Sequence, residues 1–186
     1  MICLQKYILL FFVIFSFTLV FSTNYIDLIK YRIDLYDMNV SEQDIKRIEQ
    51  VMPYIIYTCE YFDFDPLYAI TLFEVESNYR WTYGDSGDAV GFGQIHLETA
   101  WNVIYNYRDY LEELGLNTYV KSTQDLYQTP IRTSVLSILY LIDKYKQSNN
   151  DIYGAASLYN GTNKHMYPFN FMMRYSDVAK TFYIIE

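Results

Sequence analysis

Residues 65–101 read DPLYAITLFEVESNYRWTYGDSGDAVGFGQIHLETAW, and the rest of the chain is arranged around them. Asp65 is a good helix N-cap, and Pro66 suits the first helical position, where its missing N–H is not needed. Leu67, Ala69, Ile70, Leu72, Phe73 and Val75 follow. At about 100° per residue they point all round the axis, the pattern of a buried helix. Glu76 falls between Ala69 and Leu72 on that wheel. A carboxylate among apolar neighbours is costly to ionise, so its pKa should rise, as a general acid near neutral pH requires. The alternative is a core glutamate satisfied by a hydrogen bond or salt bridge. Glu74, two residues earlier, points to another side. Ser77 and Asn78 end the apolar pattern. The loop beyond holds four of the chain's seven glycines and leads into a second helix.

Working outward, the flanks read as helices. Residues 24–37 form a helix or a linker packed on the domain. Ser41 with Asp44 resembles a capping box, and Ile45, Ile48, Met52, Ile55, Cys59 and Phe62 follow at spacings of three or four. Pro53 predicts a kink or break near Met52. A helix is expected around Glu98–Leu114 with Gly115 as its cap. Residues 116–128 read as irregular. Pro130 opens a further helix, with Ile131, Val135, Ile138, Leu139 and Ile142 as its stripe, ended at Ser148-Asn149-Asn150. A short helix over Asp151–Tyr159 closes at Gly161, residues 162–170 form a loop containing Pro168, and Met172–Phe182 form the last helix. There is no strand-like alternation and no internal repeat. The expected architecture is a compact all-α globule.

Composition narrows the classes of function. The chain has 186 residues, enough for one domain, and 52% of them are apolar, enough for a sizeable core. The net charge is −8. Without a Lys/Arg cluster such a chain is a poor partner for nucleic-acid phosphates. Residues 1–23 read as a secretory signal peptide or an uncleaved signal anchor: Lys6 precedes a hydrophobic run from Ile8 to Val20, shorter than a membrane span of about 20 residues. The protein is therefore expected to be exported to the periplasm or cell envelope. Past the leader only Cys59 remains, so no internal disulfide is expected, and Cys59 reads as a small buried hydrophobe. His96 and His165 lie in no metal-binding spacing, and no phosphate-binding loop or nucleophile motif is present. No metal or cofactor is expected, and carboxylates are left as the chemistry. Gln94, after Gly91-Phe92-Gly93, sits where glycines allow the backbone a close approach to a ligand or form a mere turn. Tyr159-Asn160-Gly161 either presents a phenol and an amide to a cleft or is an ordinary helix end.

Taken together, Glu76-Ser77, Gly91-Phe92-Gly93-Gln94-Ile95, Thr99-Ala100, Asp125-Leu126, Ala155–Gly161, and Tyr175 with Val178 resemble the soluble-lytic-transglycosylase (SLT) catalytic domain, a family of bacterial enzymes that cut peptidoglycan. The resemblance runs from about Val51 to Val178. It departs from the family at Phe92-Gly93, where Leu-Met is usual, at Thr162, and at Asp85, where Ser is common. It implies a lysozyme-like fold around a buried central helix that carries the catalytic Glu76, with the domain over residues 41–186 and residues 24–40 as an N-terminal linker or helix. The implied partner is the peptidoglycan glycan strand, bound by a monomer that could also serve envelope-assembly proteins. By carry-over, Tyr159 would orient Glu76 or the substrate's N-acetyl group. Gln94 and Asn160 would hold the sugar, Ser77 would support Glu76 or touch substrate, and Tyr175 would join the substrate-binding set. Asp85 is either a loop brace or a second carboxylate that positions water. Gly84-Asp85-Ser86-Gly87 is also similar to goose-type lysozymes, although His96 stands where those carry another Asp. The alternatives are thus a muramidase hydrolysing the same bond and a non-catalytic wall-binding protein on the same fold.

Overall fold

The computed structural model describes residues 24–161 and 166–185; the leader, Thr162 and His165 lie outside the described residues. Helix α3, Pro66–Ser77, is built as its sequence dictates. The Asp65 carboxylate accepts the Leu67 N–H at 2.8 Å, and Pro66 occupies the first turn. Leu67, Ala69, Ile70, Thr71, Leu72, Phe73, Glu74 and Ser77 are all buried. Asn78 ends the helix in the left-handed region at φ 49°, a conformation asparagine tolerates.

Before it stand α1 (24–35) and α2 (Glu42–Tyr61). The former is a helix whose Leu28, Ile29 and Ile33 are in the core. Ser41 caps α2 by accepting the Asp44 N–H, as the capping pattern implies. The break expected at Pro53 is absent: α2 is one helix with Pro53 inside it. A proline's φ is helical, and the carbonyl deprived of its partner is that of Glu49, which is exposed and can bond water.

After α3 come three two-residue strands, β1 (Tyr83–Gly84), β2 (Ala89–Val90) and β3 (Ile95–His96). They form an antiparallel sheet in that order, with Tyr83 opposite Val90 and Ala89 opposite His96. The chain is mostly helical, as the expected all-α class has it, and this small sheet is added to the helices. Two-residue strands are too short to show alternation.

The helix expected over Glu98–Leu114 is two, α4 (Leu97–Asn106) and α5 (Arg108–Glu113), broken at Tyr107 with φ −121° and ψ 25°. Gly115 closes α5 at φ +70°, its N–H on the Glu112 carbonyl and that of Leu116 on Leu111. A short helix α6, Thr123–Tyr127, capped by Ser122, interrupts the segment expected to be irregular. Then follow α7 (Pro130–Gln147), α8 (Ile152–Tyr159) capped by Asp151, and α9 (Met166–Ile185). Helix α9 starts six residues before the expected Met172, because Pro168 lies in its first turn, where no N–H is required. Helix α7 packs on α2 and α8, and α3 packs on α9 and α2. Cys59 is fully buried and unpaired, and burial pushes its thiol pKa up. Among the described residues no helix is long and apolar enough to cross a membrane.

Candidate active site

Two glutamates on α3 have opposite surroundings. Glu74 is fully buried and neutralised. Nε and Nη2 of Arg32, from α1, donate to its two oxygens at 2.6 and 2.8 Å, the forked geometry that suits a carboxylate. The Tyr79 hydroxyl donates to Oε2 at 2.7 Å, and Nη1 of Arg174, from α9, lies 3.2 Å from Oε1. Arg32 also donates to Thr181 Oγ1. Every strong group there is occupied by another.

Among the described residues, Glu76, in the last turn of α3, forms no salt bridge with a cation. Burial pushes its carboxyl up to about 7 from the ordinary 4.5, and the negative charge of Asp85 adds to the rise. A hydrogen bond from the Tyr167 hydroxyl to Oε1 opposes this rise. Burial and the Glu76 charge push the Tyr167 phenol well up, so it stays protonated and a donor. Tyr167 stands in the first turn of α9, in the segment the sequence reading assigned to a loop. Pro168 was the available signal, since proline just inside a helix start marks an N-terminus.

The other expected site residues divide. Tyr159 is buried and within electrostatic reach of Glu76, which together with burial raises its phenol pKa. Its hydroxyl, however, donates to the Gly93 carbonyl at 2.7 Å, so it braces the glycine turn and leaves Glu76 to Tyr167. Asn160 follows it, exposed at the end of α8. Gln94, at φ 49°, turns its amide inward: Nε2 donates to the carbonyls of Gly91 at 2.6 Å and Thr82 at 3.3 Å. The glycines beside it let the backbone approach protein. A Cβ on Gly91 would lie 2.8 Å from the Trp81 ring, and one on Gly93 would lie 2.5 Å from the Cβ of Ser137. Ser77 is buried and its hydroxyl donates to the Phe73 carbonyl at 2.9 Å, a bond within α3 that leaves no proton for a ligand.

Asp85 is exposed at φ 45° on the loop between β1 and β2, with Oδ2 3.2 Å from His96 Nε2. It approaches Glu76 in charge only. Tyr175 is not brought to the site. Its hydroxyl donates to Asp65 at 3.1 Å and its ring packs on Tyr68, at the opposite end of α3. Asp65 and Glu76 are eleven residues apart, about 16 Å along a helix. The expected substrate contact is replaced by a contact that ties α9 to the start of α3.

The arrangement supplies one carboxyl group close to half-protonated at neutral pH, a phenol that orients it, and a glycine turn braced by Tyr159. Among the described residues no group of three or more His, Cys, Asp or Glu side chains could hold a metal ion. No protein-family model matches the chain, and neither a curated protein nor a solved structure is found to be similar to it.

Proposed function

We propose that the protein is a peptidoglycan lytic transglycosylase, exported to the cell envelope, with a lysozyme-like helical fold. The observation that carries this reading is Glu76, held near half-protonation at neutral pH by burial and oriented by Tyr167. The ordered resemblance from Glu76-Ser77 through Gln94 to Tyr159-Asn160 supplies the substrate class.

In the proposed reaction the Glu76 carboxyl gives its proton to the oxygen bridging N-acetylmuramic acid and N-acetylglucosamine, and the C1–O bond breaks. The substrate's own N-acetyl group stabilises the positive C1. Glu76, now a carboxylate, takes the proton of the C6 hydroxyl while that oxygen bonds to C1. The products are a 1,6-anhydromuramoyl end and a free 4-hydroxyl, and no water is consumed. A group that gives and then retakes a proton works best with a pKa near the ambient pH.

A second reading has one observation in its favour. Asp85 stands close enough for its charge to raise Glu76, and an exposed carboxylate can activate water, as two-carboxylate glycosidases do. Mass spectrometry of peptidoglycan digested with the protein separates the two. Anhydro ends, one water lighter than reducing ends, are expected; reducing ends alone would overturn the transglycosylase reading. Glu76→Gln run in parallel should release neither product.

A further inference from the structure

At the end of α3 remote from Glu76, aromatic rings gather where α2 stops. Tyr61 packs on Phe62 and Tyr110 with centroids 4.8 and 4.7 Å away, Phe62 packs on Tyr107 at 5.5 Å, and Lys146 Nζ lies 4.8 Å from the Phe62 ring centre. They frame a pocket of about 290 Å³ that Asn106, Arg108 and Asp109 also line. Six consecutive residues, Tyr105 to Tyr110, face this one concavity. A continuous helix could not present them so, because successive side chains leave it about 100° apart. The break at Tyr107 between α4 and α5 is what wraps them around the pocket.

Core packing accounts for Phe62, Tyr107 and Tyr110 but not for Tyr61 and Tyr105. Tyr105 is 83% exposed and Tyr61 53%, so each leaves a ring face to solvent. Beside them stand a planar amide, a carboxylate and a guanidinium. An apolar peptide segment placed here would desolvate all three without pairing them. A pyranose fits better. Its C–H face lies on an aromatic ring, and its neighbouring hydroxyls donate to Asp109 and Asn106 and accept from Arg108.

We propose that this pocket is a second saccharide-binding site, which holds a glycan strand away from Glu76. The proposal rests on the peptidoglycan reading for its ligand. Its contribution is avidity: a second contact strengthens binding of a long polymer and does nothing for a fragment too short to reach both sites.

The test compares the full chain carrying Glu76→Gln with the same chain also carrying Tyr61→Ala and Tyr105→Ala, in sedimentation with purified insoluble peptidoglycan. Tyr105→Ala alone, at a solvent-exposed ring, is the variant that keeps the fold. Loss of two stacking faces should weaken sedimentation about tenfold for the pair, the equivalent of about 1.4 kcal/mol, and measurably for Tyr105→Ala alone. With Glu76 intact, the same substitutions should leave the cleavage rate of a soluble tetrasaccharide fragment unchanged. Equal sedimentation would overturn the second site, and so would a parallel loss of fragment cleavage. If the parent protein cleaves the fragment but does not sediment, the second site alone fails. If it does neither, the glycan reading fails and takes the site with it.

Discussion

Glu74 and Glu76 are two residues apart on α3, some 200° around its axis, and Arg32 neutralises the first while no described residue neutralises the second. Forked hydrogen bonds at 2.6 and 2.8 Å make Glu74 a structural ion. Burial makes Glu76 a reservoir for one proton near pH 7.

The pH dependence of activity follows from that difference. The proposed first step needs Glu76 protonated, so the rate should be sustained below pH 7 and fall as pH rises through about 7. A rate that stays flat from pH 6 to 9 would remove Glu76 as the acid. Stability carries the same sign. A carboxyl whose folded pKa is raised stabilises the fold fully below its ordinary 4.5 and loses that contribution as pH rises past about 7. The permanently neutral Glu76→Gln should therefore match the parent at pH 4 and exceed it at pH 8, by at most about 3 kcal/mol, in denaturant titrations.

Tyr167→Phe removes a donor that favours the Glu76 carboxylate while keeping the ring. The Glu76 pKa should rise further, moving the alkaline fall of the rate up by about half to one pH unit, as expected for one hydrogen bond of about 1 kcal/mol. An unmoved midpoint would mean that the phenol does not act on Glu76.

Arg32→Met leaves Glu74 buried without its main partner. Removing one member of a buried pair costs about 3–5 kcal/mol. The lower end is expected here, because Arg174 and Tyr79 still reach Glu74. Arg32→Met with Glu74→Leu should recover most of the loss. If the double substitution is no more stable than the single one, Glu74 is not the group that needs Arg32. The measurement also tests where the domain starts, since Arg32 lies in the segment 24–40.

Gly93→Ala should destabilise more than Gly84→Ala. The first places a Cβ 2.5 Å from the Cβ of Ser137, which is buried on α7 and has nowhere to go. Overpacking of this kind costs about 1–3 kcal/mol. The second meets the far end of the Gln94 side chain, which can turn aside at the loss of its hydrogen bonds to Gly91 and Thr82, a smaller cost than moving the Ser137 Cβ. A double-mutant cycle of Gly93→Ala with Ser137→Gly should show favourable coupling; additivity would mean that the clash is relieved elsewhere.

Much of this was legible in the sequence because it is written locally. Asp65-Pro66, Ser41 with Asp44, and Gly115 announce helix ends by their own backbone chemistry, and the apolar wheel of α3 announces burial. What sequence reading missed depends on partners distant in the chain. Arg32 meets Glu74 across 42 residues and Tyr167 meets Glu76 across 91. No local pattern distinguishes a glutamate that will find an arginine from one that will not. Tyr159 and Tyr175 were assigned to the site by their place in a motif, yet hydroxyls choose the acceptor that the fold brings near: Gly93 for the first and Asp65 for the second.

The ends of the described chain meet. Tyr25 stacks on Phe182 at 5.1 Å, and Arg32 donates to Thr181, 149 residues later. Such contacts close only once α9 has been made, so a nascent chain without it lacks Arg174 of the cradle that neutralises Glu74. Docking of α9 therefore follows that of α3, and contacts of such long sequence separation are slow to close. Until α9 has docked, Glu76 is without the hydroxyl of Tyr167.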